Sequence, residues 1–186
     1  MTSAIDPTKP VAGAALTADV RANFAAAKRE IEALQAAGPF MPLAGTTTND
    51  NAPPGQVGEF LSGYIASLAA IPMTTAVTMM IYGLQLTAGD WDISGAVGFA
   101  PAATTSITSS AGGISTVSAT LPSISSGALF RLFQPAFVPG AVFPIFPVPT
   151  SRLSLASPTM VYLNALSTFT VAGNSAFGFI GARRVR

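Results

Sequence analysis

The residues best suited to chemistry in this sequence are two aspartates that flank its single tryptophan. Asp90 and Asp92 surround Trp91, at the turn signal Ala88-Gly-Asp. Paired carboxylates can bind calcium, which prefers oxygen ligands, or can serve a glycoside hydrolase. Alternation along a strand places both acids on one side, with no third acid nearby in sequence. We therefore expect the pair on the solvent side of a turn, with Trp91 in the core.

The other polar residues form no recognised catalytic or metal-binding motif. The chain has no histidine and no cysteine, which excludes disulfides, thiolate nucleophiles and Cys/His zinc sites. It has no Gly-x-Ser-x-Gly motif, and Gly55-Gln-Val-Gly-Glu lacks the ending of a phosphate-binding loop. Asn49-Asp50-Asn51 is a second group of oxygen ligands, more simply explained as a solvated turn. We predict that the protein is not an enzyme and that it uses neither a cofactor nor a metal.

Charge is scarce and unevenly distributed. Charged residues make up 9% of the 186, against about a quarter in an ordinary soluble domain, and 49% are hydrophobic. A surface so poor in charge exposes apolar patches that find partners, so we expect an oligomer. The net charge of +1 argues against a nucleic-acid partner, because phosphate binding needs clustered cations. The one cluster, Arg183, Arg184 and Arg186, is interpreted as charge that keeps a late strand soluble and blunts edge pairing.

Two arginines stand alone in apolar surroundings. Arg131 and Arg152 can each pair with Asp90, Asp92 or Glu59, within one chain or between chains, and the sequence does not choose among these acids.

We predict neither a signal peptide nor a membrane span. The N-terminus lacks a basic region followed by an apolar core. Residues 60–89 and 93–130 contain no charged residue, but prolines, glycines and many Ser/Thr residues interrupt both stretches. A spanning helix needs about 20 predominantly apolar residues, so we interpret these stretches as strands.

The chain divides into four predicted segments. Residues 1–16 are predicted as an extended anchoring arm, because prolines disfavour helix at the residue before them. Residues 17–37 are predicted as a helix that begins at the N-cap Thr17 and ends before Gly38-Pro39. Residues 38–56 form a linker rich in turn-forming residues. Residues 57–186 form the predicted β-sandwich head.

The predicted helix carries a heptad pattern. Lys28 and Glu30 flank it with opposite charges, as in a coiled coil. So short a helix needs a partner or its neighbouring domain to be stable. We predict a homotrimer through this seam; the alternative is an amphipathic helix lying on its own domain. The seam consists of Val20, Phe24, Ala27, Ile31 and Leu34.

The head is predicted to be an antiparallel β-sandwich or jelly roll of about eight strands. Residues 138–149 hold four prolines and are predicted as a loop that presents Phe143 and Phe146 to the core or to a neighbour, because proline donates no ladder hydrogen bond. The predicted strands are 58–67, 73–86, 91–99, 107–120, 128–134, 152–155, 160–171 and 176–183.

The N-terminal part resembles phage virion proteins. The stretch from Ile5-Asp-Pro-Thr-Lys-Pro-Val-Ala-Gly to Glu32-Ala-Leu-Gln is similar to the segment that attaches phage fibre and decoration proteins to the particle and starts a trimer. Phe40-Met-Pro-Leu-Ala-Gly-Thr-Thr resembles the spacer of fibre shafts, although Thr46 replaces a usual glycine and the motif is not repeated. The resemblance implies that the virion-anchoring residues include Ile5, Pro7, Pro10 and Val11.

The C-terminal part resembles trimeric jelly-roll heads of the complement and tumour-necrosis-factor type, and related phage domains. This resemblance lies in Leu86-Thr-Ala-Gly-Asp-Trp-Asp-Ile-Ser-Gly-Ala-Val-Gly-Phe, Thr168-Phe-Thr-Val and Phe177-Gly-Phe-Ile-Gly-Ala-Arg-Arg. It implies that three heads share an apolar face around a closed symmetry axis.

Together these features predict a phage virion structural protein at the particle surface, a capsid decoration protein or short head fibre with capsid or tail proteins as partners. The first alternative is a tail fibre or receptor-binding tip that recognises a host surface glycan. The second is a hydrolase of cell-surface polymer, using Glu59 with Asp90 or Asp92.

Overall fold

The computed structural model describes residues 17–36, 50–140 and 142–186. The chain separates into two compact units, residues 1–49 and 50–186, which we describe one at a time. The predicted anchoring residues lie outside the described residues, as does the first part of the predicted linker. Those anchoring residues are Ile5, Pro7, Pro10 and Val11.

The first unit contains one described helix, α1, which spans Thr17–Ala36. Its Ala, Glu, Lys, Arg and Leu residues are good helix formers. Lys28 and Glu32, one turn apart, form an ion pair at 3.6 Å on its surface, a spacing that supports helices modestly. Within the described residues, no helix has the length and apolar character needed to cross a membrane.

The second unit is a sandwich of two antiparallel sheets, which confirms the predicted fold class. Sheet A has the strand order β1-β9-β4-β7, with the short β2 also paired to β9, and sheet B has the order β3-β8-β5-β6. The strands are β1 Phe60–Ile65, β2 Ile71–Pro72, β3 Met79–Leu86, β4 Gly89–Pro101, β5 Ser106–Ser115, β6 Leu129–Phe137, β7 Ile145–Leu155, β8 Thr159–Thr170 and β9 Asn174–Arg184.

The strand pairing is that of a jelly roll. Leaving aside the two-residue β2, the first long strand pairs with the last, the second with the seventh, the third with the sixth and the fourth with the fifth. A single antiparallel ribbon wound into two sheets produces these pairs. The predicted jelly roll is therefore confirmed.

The core lies between the two sheets. Val97 and Phe99 of β4, Leu163 of β8 and Ile180 of β9 are completely buried there, and such burial is the main favourable term in folding. Trp91 is also completely buried, as predicted, and its Nε1 donates a hydrogen bond to the Thr87 carbonyl at 3.0 Å.

A buried asparagine fixes the loop that follows β5. Asn164 of β8 is completely buried. Its Oδ1 accepts a hydrogen bond from the Ala119 amide at 2.9 Å, and its Nδ2 donates to the Ser115 hydroxyl at 3.1 Å and the Thr120 carbonyl at 3.0 Å. The Asn164 side chain thus makes hydrogen bonds to the loop that a neighbouring strand would otherwise make. The strand predicted over 107–120 is too long for this reason, and β5 ends at Ser115.

The proline-rich segment is part loop and part strand. The prediction of a loop over 138–149 is wrong for its second half, because β7 begins at Ile145 and includes Pro147. β7 is an edge strand of sheet A, where a missing backbone N–H is tolerated. Phe146 packs on the core, stacked on Phe130 with ring centroids 5.2 Å apart.

Candidate functional site

The acidic and basic residues singled out in the sequence converge at one end of sheet A. Antiparallel pairing brings four parts of the chain to this same end of the sheet. They are the residue before β1, the beginning of β4, the second half of β7 and the end of β9. We call this group the charge cluster; it comprises Glu59, Asp90, Arg152, Arg184 and Arg186.

Arg184 is the buried centre of the charge cluster. Its Nε donates to Glu59 Oε2 at 2.9 Å, its Nη1 donates to the Ala88 carbonyl at 2.8 Å, and its Nη2 donates to the Thr87 hydroxyl. The guanidinium also lies 4.3 Å from the centroid of the Trp91 ring. The side chains of the ion pair are only 6% and 5% exposed. A buried ion pair of this kind is tolerated because its donors and acceptors are satisfied.

The interpretation of the C-terminal arginines as edge-blunting charge is wrong for Arg184. Strand β9 lies between β1 and β4 and is therefore not an edge. Alternation along β9 turns Ile180, Ala182 and Arg184 toward the interior, and all three are buried. Arg183 points to the other side, where its guanidinium lies 6.0 Å from the Phe60 ring centroid.

Gly89 makes room for the buried arginine. Its φ is +137°, a conformation that L side chains rarely adopt. A Cβ at this position would also overlap Arg184 Nη1. Glycine is thus required twice, for the backbone turn and for the guanidinium.

Asp90 is buried, which corrects the prediction that it faces solvent. Alternation does place it on the same side of β4 as Asp92, but two arginines cover it. Its Oδ2 lies 2.6 Å from Arg152 Nη2 and 3.0 Å from Arg186 Nε, and its side chain is 4% exposed, whereas Asp92 is exposed. The Ser154 hydroxyl and the Arg152 guanidinium lower the pKa of Asp90 below its ordinary value.

Glu59 is likewise held as a carboxylate. Burial by itself raises the pKa of Glu59, but the Gly55 amide, which donates to Oε2 at 2.8 Å, and the Arg184 guanidinium bring it below its ordinary value. A general acid at a hydrolytic site needs the opposite shift, toward the working pH. The charge cluster therefore ties the ends of the β unit together and is poorly suited to proton transfer.

The two isolated arginines have different surroundings. Arg152 pairs with Asp90, one of the three acids considered for it. The Arg131 guanidinium instead lies 5.7 Å from the centroid of the Phe133 ring, a cation–π arrangement.

The candidate oxygen clusters have structural partners. Among residues 17–36, 50–140 and 142–186, no three acidic side chains come together as a metal site. In the group Asn49-Asp50-Asn51, interpreted from sequence as a solvated turn, Asn49 lies outside the described residues. Asn51 Nδ2 donates to the Phe60 carbonyl and Asn51 Oδ1 accepts from the Phe60 amide, both at 2.8 Å. This side chain extends the edge of β1 as a strand would.

The opposite end of the outer face of sheet A is apolar, a feature that sequence reasoning missed. Cross-strand register places Tyr64, Phe179, Ala96 and Pro147 in one row, and Phe177, Gly98 and Ile145 in the next. Most of these residues line an open groove of about 440 Å³. Strand alternation marks each residue as outward-facing, but only the strand order shows that they are neighbours.

The floor of the groove depends on a glycine. Gly98 has no side chain, and the Phe177 ring lies across the space that a Cβ would occupy. Phe143, from the loop before β7, meets Phe177 edge-on with ring centroids 6.0 Å apart. Phe143 thus packs at this surface, whereas Phe146 packs on the core.

The helix seam is exposed in the single chain. Of the five predicted seam residues, Phe24 and Ile31 are exposed, and Val20 and Ala27 are half-buried. The side chain of Leu34 lies outside the described residues.

No protein-family model matches the sequence, and no curated protein matches it. Solved structures with a similar chain path include three from infectious bursal disease virus. The Gx strain structure is 12% identical, with a TM-score of 0.39 over 68% of this chain and 32% of that chain. The VP2 subviral particle is 11% identical, with a TM-score of 0.41 over 76% of this chain and 38% of that chain. The Gt strain structure is 9% identical, with a TM-score of 0.36 over 78% and 41%.

The chain therefore spans about a third to two-fifths of the length of the structures it matches.

Proposed function

We propose that this chain is a structural protein of a phage virion, a capsid decoration protein or short head fibre that docks through its N-terminus and trimerises. The observation that carries the proposal is the open seam of α1, where Phe24 is 72% exposed and Ile31 is 53% exposed. Large apolar side chains at heptad positions are stabilised by burial against copies of the same helix. A helix with this seam, placed ahead of a jelly-roll unit, is the arrangement expected of a short trimeric fibre.

The construction of the head supports the same proposal. A projecting head must stay folded on its own, and the Glu59–Arg184 ion pair joins the beginning of the β unit to its end. Jelly rolls serve many functions, so the proposal depends on the helix and head together.

The alternative functions fit the geometry less well. A hydrolase would need one acid with a raised pKa, whereas the pKa values of both Glu59 and Asp90 are lowered. A glycan-binding tip would need polar groups that fix a sugar, whereas the groove is lined almost entirely by apolar atoms.

Attachment to the particle tests the proposal. Tagged chain would be added to purified particles of the virus that encodes it, and bound protein would be recovered by sedimentation. We expect the full chain to sediment with particles, and a chain without residues 1–16 to keep its oligomeric mass but stay in the supernatant. As a finer comparison, Ile5, Pro7, Pro10 and Val11 would be replaced by serine in one variant, and Thr2, Ser3 and Thr8 by alanine in a control.

The outcomes separate the parts of the proposal. Binding by the truncated chain would move the anchor to the head. Failure of the full chain to bind, together with its absence from native particles, would contradict a virion role.

A further inference from the structure

We propose that the apolar end of the outer face of sheet A is the surface on which the heads of neighbouring copies of this chain pack. We call it the apolar half-face; it comprises Tyr64, Ala96, Gly98, Ile145, Phe177 and Phe179. The inference rests on the proposed trimer, and it adds the surface through which the β units meet.

The apolar half-face breaks the usual pattern of a solvent-facing sheet. An antiparallel sheet with one face in water normally turns polar side chains outward. Here two successive cross-strand rows carry apolar residues and glycine only. Tyr64 is 68% exposed, Ile145 is 59% exposed and Phe179 is 39% exposed. A contiguous exposed apolar surface of this kind marks an interaction site.

Charge divides the outer face of sheet A into two ends. Arg183, Asp92 and Arg152 lie side by side in one cross-strand row at the far end, next to the charge cluster. The surface that covers the apolar half-face must itself carry no charge at the contact, because an unpaired charge buried there would be costly. The same rows on a second copy of the chain meet this requirement.

The shape of the half-face also favours a second copy. The exposed Tyr64 side chain forms one wall of the groove, and the fully exposed Leu68 follows the groove residue Ser67 in the turn after β1. Each copy therefore carries both a recess and a projection of the same chemistry. Closed symmetric oligomers need both parts of each contact on every subunit.

Thiol labelling tests the inference, because the natural chain contains no cysteine. A Tyr64→Cys variant of the full chain would be compared with an Ile124→Cys control, whose parent side chain is 85% exposed and lies in the turn before β6. Leu68→Cys provides a second probe with a smaller effect on the sheet. In a single chain all three thiols would react quickly with maleimide. We expect the Tyr64→Cys and Leu68→Cys thiols to react at least about tenfold more slowly than the control, and all to react equally in denaturant.

The measured mass of each labelled protein decides between the occupants. Slow labelling in a three-chain assembly that becomes fast when Ile31→Asp yields monomers supports packing between copies. Slow labelling that persists in a monomer shows that the same chain covers the half-face and overturns the inference. Fast labelling in an intact three-chain assembly overturns the inference but leaves the proposed function standing. Fast labelling in a protein that is monomeric without any substitution in α1 contradicts both the inference and the proposed trimer.

Discussion

The Glu59–Arg184 ion pair connects the turn before β1 to the last residue of β9. Both side chains are almost completely buried, and the guanidinium rests on the buried Trp91 ring. Because a buried charge without its partner is costly, the stability of the sandwich should depend strongly on either member of this pair.

Replacement of Glu59 by glutamine tests this dependence. Glu59→Gln leaves the Arg184 guanidinium buried and uncompensated, so we expect the free energy of unfolding to fall by about 3 kcal/mol, a large share of a typical total. Urea unfolding followed by the fluorescence of Trp91, the single tryptophan, measures the loss. The exposed Asp92→Asn is the control; Asp92 lies between Arg183 and Arg152 at the surface, so its loss should change stability by less than about 1 kcal/mol. Equal unfolding midpoints for Glu59→Gln and the natural chain would contradict a stabilising pair.

The pH dependence of stability follows from the same carboxylates. The pKa values of Glu59 and Asp90 are lowered in the folded protein and return to about 4 in the unfolded chain. As the pH falls, the unfolded state therefore binds more protons than the folded state. The contribution of the two carboxylates to the free energy of unfolding is present above about pH 4.5 and is lost progressively below it. We expect Glu59→Gln to be less sensitive to acid over this range. Identical acid sensitivity in the variant and the natural chain would rule out Glu59 as a source of this dependence.

Part of this cluster could be predicted from sequence and part could not. The burial of Trp91 is predicted from sequence and is confirmed. The alternation of Ile180, Ala182 and Arg184 also predicts that Arg184 faces inward, whereas treating the C-terminal arginines as one group predicts the opposite. The burial of Asp90 could not be predicted, because it results from arginines on β7 and the C-terminal end that only the strand order brings together.

Among the secondary-structure elements, α1 with its exposed seam is the one that supports the proposed trimer. Ile31→Asp places a charge at the centre of the seam, and we expect the assembly to dissociate to single chains. Ala33→Asp introduces the same charge at an exposed position away from the seam and should leave the assembly intact. Light scattering after gel filtration gives the mass of both variants. If the Ile31→Asp protein kept the mass of the natural assembly, the predicted coiled coil would be wrong.

The β elements show why strand existence was easier to predict than strand ends. All eight predicted strands overlap observed ones, because alternating apolar residues between turn signals are a local property. The end of β5 is set by Asn164, which is distant in sequence. The start of β7 depends on its place at the edge of sheet A, where Pro147 costs no ladder hydrogen bond.

The low charge of the chain and the apolar half-face both favour assembly of several copies. The jelly roll was predictable in class from strand number and turn spacing, but its strand order was not, since the pairs join residues far apart in sequence. The rows that place Tyr64, Phe179 and Ile145 together arise from that order. Composition alone therefore predicted an oligomer without indicating where on the head its contacts would lie.

Assembly of this chain in threes can be tested by the absolute mass of the purified 186-residue protein in solution. Multi-angle light scattering across a range of concentrations would give this mass without assumptions about shape. We expect a mass three times the 18.8 kDa of one chain, unchanged on dilution. A mass of one chain at every concentration would contradict an autonomous trimer and leave α1 as an element that docks on a different partner.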